Sequence, residues 1–452
     1  MTATDAPRIV HLGLGAFFRA HTAAYISDAA AGYGVIGVSM TSDRVRGLLA
    51  PRGNRYTAVE TSADGLKPRD IDILTDVLVA PRDPEAVLDA MAHASTQIVS
   101  LTITEKGYCR SANGHGIDLD NADVRHDIEY PLPRTAPGFI VHALGRRRQA
   151  GLRPFTVMSL DNLPGNGQVL QGVTRDLAAK IDPTLADWID QHCLFPSTMV
   201  DRIVPATTPE MIARLKDDAG IDDPGAVFHE PFRQWVIEDS FVDGKRPDFA
   251  AAGAIMVHDV EPFERMKLRM LNGTHSALAY VGRICGFETV SQAVSDPKMR
   301  SFIEALWADE IIPTVQPPEG VNLATYAADL LARYKNPEIH HGLEQIASDG
   351  SQKLPQRILD PLFENSQNGR PYRRLLMVLG AWMAFLHAKQ STEAISDPLA
   401  AELGAAVSAS NDAEALVTNL LNLRAVFGNY SVADIAPELT QIVDTFLSAT
   451  PP

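Results

Sequence analysis

The sequence predicts an α/β fold, with a mostly parallel sheet in the N-terminal half and a mostly α-helical C-terminal half. Its 452 residues exceed what one hydrophobic core usually serves, so we expect two domains. In the first half, short apolar runs alternate with helical patterns, which is typical of parallel strands covered by helices on both faces. From about Glu261 onwards, strand-like runs become rare and helical patterns follow one another.

Four continuous apolar runs are the predicted strands of the N-terminal sheet: Arg8–Leu12, Val35–Ser39, Ile98–Ile103 and Phe155–Ser159. Helical patterns lie between these runs, at His21–Ala31, Ser42–Ala50, Pro84–Ala94 and Ala136–Arg148. The polar segment from Tyr56 to Asp76 is expected to add further strands.

The predicted helices of the C-terminal half are separated by proline and glycine: Phe263–Ile284, Lys298–Glu310, Leu323–Tyr334, Tyr372–Ala388, Pro398–Ser408 and Asp412–Leu421. The change of pattern falls between residues 250 and 262. We therefore expect a first domain at 1–258 and a second domain at 259–452.

Composition excludes several classes of protein. The net charge of −16 repels phosphate backbones, so we expect no nucleic-acid partner. The longest apolar run, near Leu375 to Leu386, is too short to span a bilayer about 30 Å thick, so we expect no membrane association and a cytoplasmic location. Three scattered cysteines and the absence of CxxC or HExxH predict neither a disulfide framework nor a metal site.

The first predicted strand ends in the turn GLGAFF, which begins at Gly13. Gly13 and Gly15 allow a tight turn and a close approach of the backbone to a pyrophosphate, while the following helix offers its first amides to the anion. Phe18 stands where a third glycine is usual, which weakens the match. The alternative interpretation is an ordinary glycine turn.

The end of the second predicted strand bears on the choice of nucleotide. An acidic residue there commonly holds the adenosine ribose of NAD, and Asp43 comes slightly late for that role. Arg44 beside it would suit the 2′-phosphate of NADP. Asp43 could also simply cap the next helix. We expect NAD as the cofactor, with NADP as the alternative.

The stretch MKLRMLNGTHS, from Met266 to Ser276, places polar side chains on a helix that then becomes apolar. At about 100° per residue, Lys267, His275 and Asn272 fall near 0°, 80° and 140°, and Glu264 falls near 60°. The four share one broad face. A solvated helix surface is the alternative explanation for such a set.

Metal-independent oxidation of an alcohol is a reaction that would use this set of side chains. A lysine can accept the proton of the hydroxyl if burial and a neighbouring cation lower its pKa by about 2–3, which corresponds to about 3–4 kcal/mol. Asparagine amides can hold the developing alkoxide, and a histidine can orient a second hydroxyl.

These motifs together resemble the mannitol dehydrogenase family, the polyol-specific long-chain dehydrogenases. The similar stretches cover residues 8 to about 361: HLGLGAFFRAH, TEKGYC, SLDNLPGNG, FPSTMVDRIVP, EPFRQWVIED, MKLRMLNGTHS and DGSQKLPQRILDP. The resemblance implies a Rossmann-type N-terminal domain with an enlarged, mostly parallel sheet and a mostly α-helical C-terminal domain. It also implies NAD-dependent chemistry without a metal.

The resemblance implies roles for individual residues. Lys267 would be the general acid/base, Asn162 and Asn272 would form the oxyanion hole, and His275 would position the substrate. Glu264 would lie on the path by which the proton leaves. The remaining expected positions are Asp201 and Arg202 for the substrate, and Gly13, Gly15, Phe17, Arg19, Asp43 and Thr104 for the cofactor.

The stretches TEKGYC and MVDRIVPATTPE are similar to the branch of the family that interconverts D-mannonate and D-fructuronate. A sugar acid needs a cationic partner for its carboxylate, and the candidates are Lys106, Lys353 and Arg357, each of which could instead be an ordinary surface ion pair. The alternatives are oxidation of the neutral polyols mannitol or D-arabinitol, and a regulator that binds NAD(H) without turnover. We expect a monomer or a small homo-oligomer with a small-molecule partner.

Overall fold

The computed structural model describes residues 6, 8–29, 32–111, 116–339, 341–390 and 395–449. The chain divides into two compact units, Met1–Glu261 and Pro262–Pro452, which we call unit 1 and unit 2. The first unit is α/β and the second is almost entirely helical. This architecture confirms the predicted fold class.

Unit 1 is built on a five-stranded parallel sheet with the strand order β5-β2-β1-β6-β7. Two further sheets have three strands each, in the orders β4-β3-β9 and β11-β10-β8. The strands are β1 (Arg8–Leu12), β2 (Gly34–Ser39), β3 (Tyr56–Ser62), β4 (Gly65–Ile71), β5 (Leu74–Val79), β6 (Thr96–Leu101), β7 (Thr156–Ser159), β8 (Thr198–Asp201), β9 (Val227–His229), β10 (Gln234–Glu238) and β11 (Ile255–Val257).

The four predicted strands are present as β1, β2, β6 and β7, and the segment after Tyr56 does supply further strands. Of these, β5 joins the parallel sheet beside β2, whereas β3 and β4 form an antiparallel hairpin that belongs to a separate sheet. The additional strands therefore enlarge the unit mainly through separate sheets.

The helices of unit 1 pack on the parallel sheet and on the smaller sheets. They are α1 (Ala16–Ala20), α2 (Thr22–Asp28), α3 (Arg44–Leu49), α4 (Pro84–Ala92), α5 (Thr104–Gly107), α6 (Ala122–Glu129), α7 (Ala136–Gln149), α8 (Asn166–Ile181), α9 (Pro183–His192) and α10 (Pro209–Ala219). The predicted helix His21–Ala31 is present as α2, and its last two residues lie outside the described residues. Sequence reasoning missed α5, α6, α8, α9 and α10.

A buried histidine connects the first strand to its neighbour in the sheet. His11 on β1 lies within hydrogen-bond distance of the Ser100 hydroxyl on β6 (2.9 Å), the Thr102 hydroxyl (3.0 Å) and the Gly13 carbonyl (3.2 Å), and its ring stacks on Phe18. Burial lowers the pKa of His11 to about 3, so the ring is neutral. Since the Gly13 carbonyl only accepts, Nε2 carries the proton and Nδ1 accepts from Ser100.

Unit 2 consists of helices around a core of leucine, isoleucine and aromatic side chains. Its α-helices, of which the first begins at the last residue of unit 1, are α11 (Glu261–Met266), α12 (Gly273–Ile284), α13 (Val290–Ser295), α14 (Pro297–Ala305), α15 (Leu323–Tyr334), α16 (Leu343–Ala347), α17 (Gly350–Leu354), α18 (Asp360–Gln367), α19 (Arg373–Gln390), α20 (Ala400–Ser408), α21 (Ala413–Leu421), α22 (Arg424–Phe427) and α23 (Ala436–Ala449). All six predicted helices are present, while α13, α16, α17, α18, α22 and α23 were missed.

In the described part of unit 2, three segments are wound as π-helix, at Lys267–Asn272, Leu306–Ile311 and Pro355–Leu359. The first joins α11 to α12, so one unbroken helix runs from Glu261 to Ile284. π-helical turns are rare and are often found at functional sites. Within the described residues, no helix has the length and apolar character needed to cross a bilayer.

Because His11 is neutral in the folded chain, we predict a specific pH dependence of the free energy of unfolding. The folded chain holds this ring neutral down to a pKa of about 3, whereas an unfolded histidine takes up a proton near pH 6.5. The free energy of unfolding should therefore fall as the pH is lowered from about 6 to about 4, by about 1.4 kcal/mol per pH unit for this group alone. Urea titrations across this range should show a shallower dependence in His11→Asn than in the wild type.

The matched control for this experiment is His387→Asn, because His387 is exposed on α19. This variant should keep the pH dependence of the wild type. An unchanged slope in His11→Asn would show that His11 does not resist protonation in the folded chain.

Candidate active site

The glycine turn lies at the carboxyl end of β1, in the middle of the parallel sheet. Gly13 has a φ of +93°, and a Cβ at this position would lie 2.0 Å from the Thr102 carbonyl oxygen, so only glycine fits. Gly15 is exposed at the start of α1, and a Cβ there would meet no atom closer than 3.8 Å. The turn therefore leaves an open surface at the carboxyl ends of β1 and β6, where the strand order of the sheet reverses, and this is where such sheets bind nucleotides.

The other residues expected to bind the cofactor differ in their exposure and in their contacts. Phe17 is half-buried and stacks on His21, and Asp43 is exposed beyond the end of β2, where its carboxylate does not cap α3. The Arg19 side chain is buried, and its guanidinium donates to the Gly15 and Gly225 carbonyls. Arg19 thus stabilises the backbone of the turn from behind.

Asp161 holds together the ends of β6 and β7. Its carboxylate accepts the backbone N–H groups of Ile103 (3.0 Å) and Thr104 (3.1 Å) and the Tyr108 hydroxyl (2.9 Å). Burial raises the pKa of Asp161, and these three hydrogen bonds act in the opposite sense. Thr104 has a φ of +64°, an unfavourable conformation for a β-branched residue, and this carboxylate holds its N–H in place.

Asn162 follows Asp161 directly and is exposed at the same edge of the sheet. The segment that carries it is anchored by Asn166, a buried residue at the start of α8. The Asn166 amide donates to the Asp161 and Thr198 carbonyls and accepts the Thr198 N–H. At Gly167 a Cβ would lie 2.4 Å from the Phe195 carbonyl oxygen, so this glycine allows α8 to approach the segment before β8.

The remaining residues of unit 1 that were expected to bind substrate have different environments. Asp201 is buried at the end of β8, where it pairs with Gln234. Arg202 is also buried, and its guanidinium donates to the backbone carbonyls of Ala20 and Glu230. Lys106 is exposed on α5. Arg202 therefore has a structural environment, while Lys106 faces solvent.

In unit 2, the three polar residues predicted on one helix occupy the π-helical segment and the first turn of α12. Lys267 and His275 are each 7% exposed, and Asn272 is half-buried, so a fully solvated face is excluded. In the π segment the Gly273 N–H donates to the Leu268 carbonyl five residues earlier. Residues five apart therefore lie nearly above one another, so Lys267 and Asn272 share a side more closely than the 140° predicted for an α-helix.

The carbonyls of this π segment are bonded to side chains from elsewhere in unit 2. The Met270 carbonyl accepts the Thr274 hydroxyl (2.5 Å) and the Trp307 indole N–H (3.1 Å), and the Leu271 carbonyl accepts the Tyr334 hydroxyl (3.2 Å). These bonds stabilise a winding that α-helical hydrogen bonds alone would not favour.

The π segment Lys267–Asn272 also packs against the π segment Pro355–Leu359. A Cβ at Gly273 would lie 3.0 Å from the Arg357 carbonyl oxygen, so glycine permits this approach. The Arg357 guanidinium makes only long contacts, at 3.5 Å to the Asn272 carbonyl and 3.4 Å to the Ser276 hydroxyl. Arg357 forms no ion pair with a described residue, and burial lowers its pKa to about 10.

Lys353 has a different environment. Its ammonium donates to the Ser348 carbonyl (2.7 Å) and the Ile346 carbonyl (3.3 Å) and lies 3.9 Å from the Asp349 carboxylate. Lys353 thus satisfies carbonyls at the C-terminal end of α16. Glu264 is half-buried one turn before Lys267.

His275 is enclosed by two rings. Its ring lies 5.1 Å from that of Tyr334 and 4.9 Å from that of His341. Burial lowers the pKa of His275 well below its usual value, and the nearby charges of His341, Arg357, Arg333 and Lys267 act in the same direction. His275 is therefore neutral and can both donate and accept a hydrogen bond.

Sequence reasoning missed His11, Asn166, Tyr334 and His341. The first two lie inside motifs that were quoted for other residues, and nothing in the spacing marks them. His341 lies 66 residues beyond His275, so only the packing of α12 against the segment before α16 reveals the pair. Among the described residues, no group of three or more His, Cys, Asp and Glu side chains could hold a metal ion.

A parallel sheet with an open glycine turn, and a buried lysine beside an asparagine and a neutral histidine, define a Rossmann-type oxidoreductase. Comparison with known proteins gives the family. Residues 7–251 match the mannitol dehydrogenase Rossmann domain, and residues 259–448 match the mannitol dehydrogenase C-terminal domain. The chain therefore belongs to the mannitol dehydrogenase family, which confirms the resemblance predicted from its motifs.

The chain is 43% identical to D-mannonate oxidoreductase of Escherichia coli (strain K12), with 98% of this chain and 92% of the relative covered. It is 39% identical to mannitol 2-dehydrogenase of Aspergillus terreus, over 93% of this chain and 86% of the relative. A solved structure, Pseudomonas fluorescens mannitol 2-dehydrogenase in a ternary complex with NAD and D-mannitol, is 34% identical. It superposes with a TM-score of 0.85 and covers 99% of this chain and 93% of the other.

The three hydrogen bonds to Asp161 make a prediction. Asp161→Ala leaves two backbone N–H groups and the Tyr108 hydroxyl without their acceptor, so the free energy of unfolding should fall by about 2–4 kcal/mol. Tyr108→Phe removes one of these bonds and should cost about 1 kcal/mol. Urea unfolding followed by circular dichroism measures both variants.

The control is Asp72→Ala, because Asp72 is an exposed aspartate of the same unit, and this change should leave stability unaltered. Equal stability of Asp161→Ala and Asp72→Ala would argue that the carboxylate does not hold the ends of β6 and β7 together.

Proposed function

We propose that the protein interconverts D-mannonate and D-fructuronate with NAD as its cofactor and Lys267 as general acid/base. The observation that carries the choice of a sugar acid is the environment of Arg357. This guanidinium lies in the same cluster as Lys267, Asn272 and His275, and its hydrogen bonds to described residues are long and involve neutral groups. An arginine without a carboxylate partner in a partly buried position is costly unless an anion binds there.

The charges around His275 support the same choice. Lys267, Arg333 and Arg357 all act on its pKa as positive charges. A cationic cluster attracts a carboxylate, and the planar guanidinium can bind both of its oxygens. Lys353 and Lys106 support this role less well, since the first is bonded to carbonyls and the second is exposed.

NAD fits the glycine turn of unit 1, since Gly13 permits the tight backbone and Gly15 leaves the surface open. Bound NAD supplies the hydride acceptor for oxidation and the hydride donor for reduction. Thr104 at the end of β6 and Asp43 beyond β2 lie at the same carboxyl edge of the sheet and would complete the site. Arg19 would act by stabilising the turn.

The residues of the chain move the proton and stabilise charge. When the substrate alcohol is oxidised, the Lys267 amine accepts its hydroxyl proton. When the ketone is reduced, the Lys267 ammonium returns a proton to the carbonyl oxygen. The Asn272 and Asn162 amides donate hydrogen bonds to the oxygen as negative charge develops. His275 orients a neighbouring hydroxyl, and Glu264 is the proposed route by which the proton reaches solvent.

Replacement of the lysine tests the proposed chemistry. Lys267→Ala should lower kcat by about 10²–10⁴-fold, because it removes the proton acceptor, while NADH affinity measured by fluorescence stays nearly unchanged. Lys298→Ala is the control, since Lys298 is exposed on α14. Full turnover in Lys267→Ala would remove this residue from the mechanism, and absence of turnover in the wild type with every substrate would favour an NAD(H)-binding regulator.

The substrate is tested by following NADH oxidation with D-fructuronate, D-tagaturonate and D-fructose side by side. We expect D-fructuronate to be reduced far faster than D-fructose. Arg357→Gln should raise the KM for D-fructuronate by about 100-fold, equivalent to about 2.7 kcal/mol, while any residual rate with D-fructose stays the same. Arg357→Lys, which keeps the charge but loses the planar fork, should lie in between.

The control for Arg357 is Arg283→Gln on α12, because Arg283 pairs with Glu344. It should leave both substrates unaffected. Equal wild-type rates with D-fructuronate and D-fructose would instead assign the protein to the neutral polyols mannitol or D-arabinitol.

A further inference from the structure

A second histidine lies against the predicted substrate-positioning histidine. The His341 ring meets the His275 ring edge-on, with centroids 4.9 Å apart and planes at 80°. The His275 Nε2 and the His341 Nδ1 are both buried, and neither has a hydrogen-bond partner among the described residues. Buried polar atoms are nearly always hydrogen-bonded, so two such atoms on touching rings indicate a place that a ligand fills.

The backbone holds His341 firmly in this position. Its N–H donates to the Ile339 carbonyl (2.8 Å), and its carbonyl accepts the Val290 N–H (3.0 Å). An isolated bridge joins Thr289 to Gly342 directly after it. His275 is held equally well, because Tyr334 packs against its ring and is itself bonded to the Leu271 carbonyl. The pair is therefore preorganised.

The chemistry of the pair favours hydroxyl groups as ligands. Burial lowers the pKa of His341 to about 4 and that of His275 well below its usual value, so both rings are neutral at ordinary pH. A neutral imidazole has one donor and one acceptor nitrogen, and a hydroxyl group likewise donates and accepts. A carboxylate only accepts, and it would instead be attracted to the Arg357 guanidinium.

We infer that His341 is a second substrate-binding residue, and that it and His275 form a paired-imidazole site for adjacent hydroxyl groups of the polyhydroxy substrate. The inference rests on the proposed function to the extent that the substrate is a sugar acid or polyol. It adds a division of roles, in which Arg357 binds the acid group and the two histidines distinguish the hydroxyl pattern.

The test compares three variants at this position. His341→Phe keeps the ring and its packing on His275 but loses both nitrogens, so the KM for D-fructuronate should rise about tenfold or more, with a smaller change in kcat. His341→Asn keeps a donor and an acceptor and should recover part of the loss. His341→Ala loses both nitrogens and the ring packing, and it should resemble His341→Phe or be weaker.

The decisive readout uses monodeoxy analogues of the substrate, each lacking one hydroxyl. The wild type should bind at least one analogue much more weakly than the complete substrate, and in His341→Phe this penalty should nearly vanish for that analogue. A merely structural role would lower all affinities together and leave every penalty in place. Unchanged penalties in His341→Phe, or an unchanged KM, would overturn the inference. His387→Ala, at an exposed histidine of α19, should change neither quantity.

The experiment separates this inference from the proposed function. If the wild type reduces D-fructose as well as D-fructuronate, the sugar-acid assignment fails, and the deoxy comparison is made with the neutral substrate and its analogues. If the wild type turns over no substrate, titration calorimetry with D-mannonate and its monodeoxy analogues gives the same comparison as affinities. Equal affinities of the wild type and His341→Phe would then refute the inference. Thermal unfolding identifies a variant that fails to fold, and His341→Asn then provides the test.

Discussion

The π-helical winding of Lys267–Asn272 is the constraint on which the arrangement in unit 2 depends. A turn closed by hydrogen bonds five residues apart brings Lys267 and Asn272 closer together around the axis of a single helix than regular winding would. Such a turn persists only if its carbonyls find other donors. Thr274, Trp307 and Tyr334 supply them, so the position of the lysine relative to the amide depends on side chains from three different helical segments.

In unit 1, a carboxylate bonds backbone groups that would otherwise have no partner. The end of a parallel strand exposes backbone groups that have no partner in the sheet, and Asp161 accepts two of them beside the residue proposed to touch substrate. Burial makes that charge costly, and the three hydrogen bonds offset part of the cost. In both units, therefore, the groups that support the proposed catalytic residues are bonded to the backbone.

Much of the fold was predictable because the apolar pattern alone decides it. The first strand was placed at Arg8–Leu12 as observed, and the long helix after Glu261 was found despite its unusual winding. The winding itself could not be predicted, because it depends on donors such as Trp307 that are distant in sequence. The same reason explains why the sequence could not distinguish Arg357 from Lys353, which differ only in their neighbours, and why His341 was missed altogether.

The π segment also bears on how the length of the chain can change. A π turn is an α-helix that has accommodated an added residue, so the loss of one residue between Lys267 and Asn272 would restore regular winding. The residues after the turn would then keep their place around the helix axis, and His275 would stay beside Tyr334 and His341. The effect of such a deletion would therefore be confined to the stretch from Lys267 to Asn272 itself.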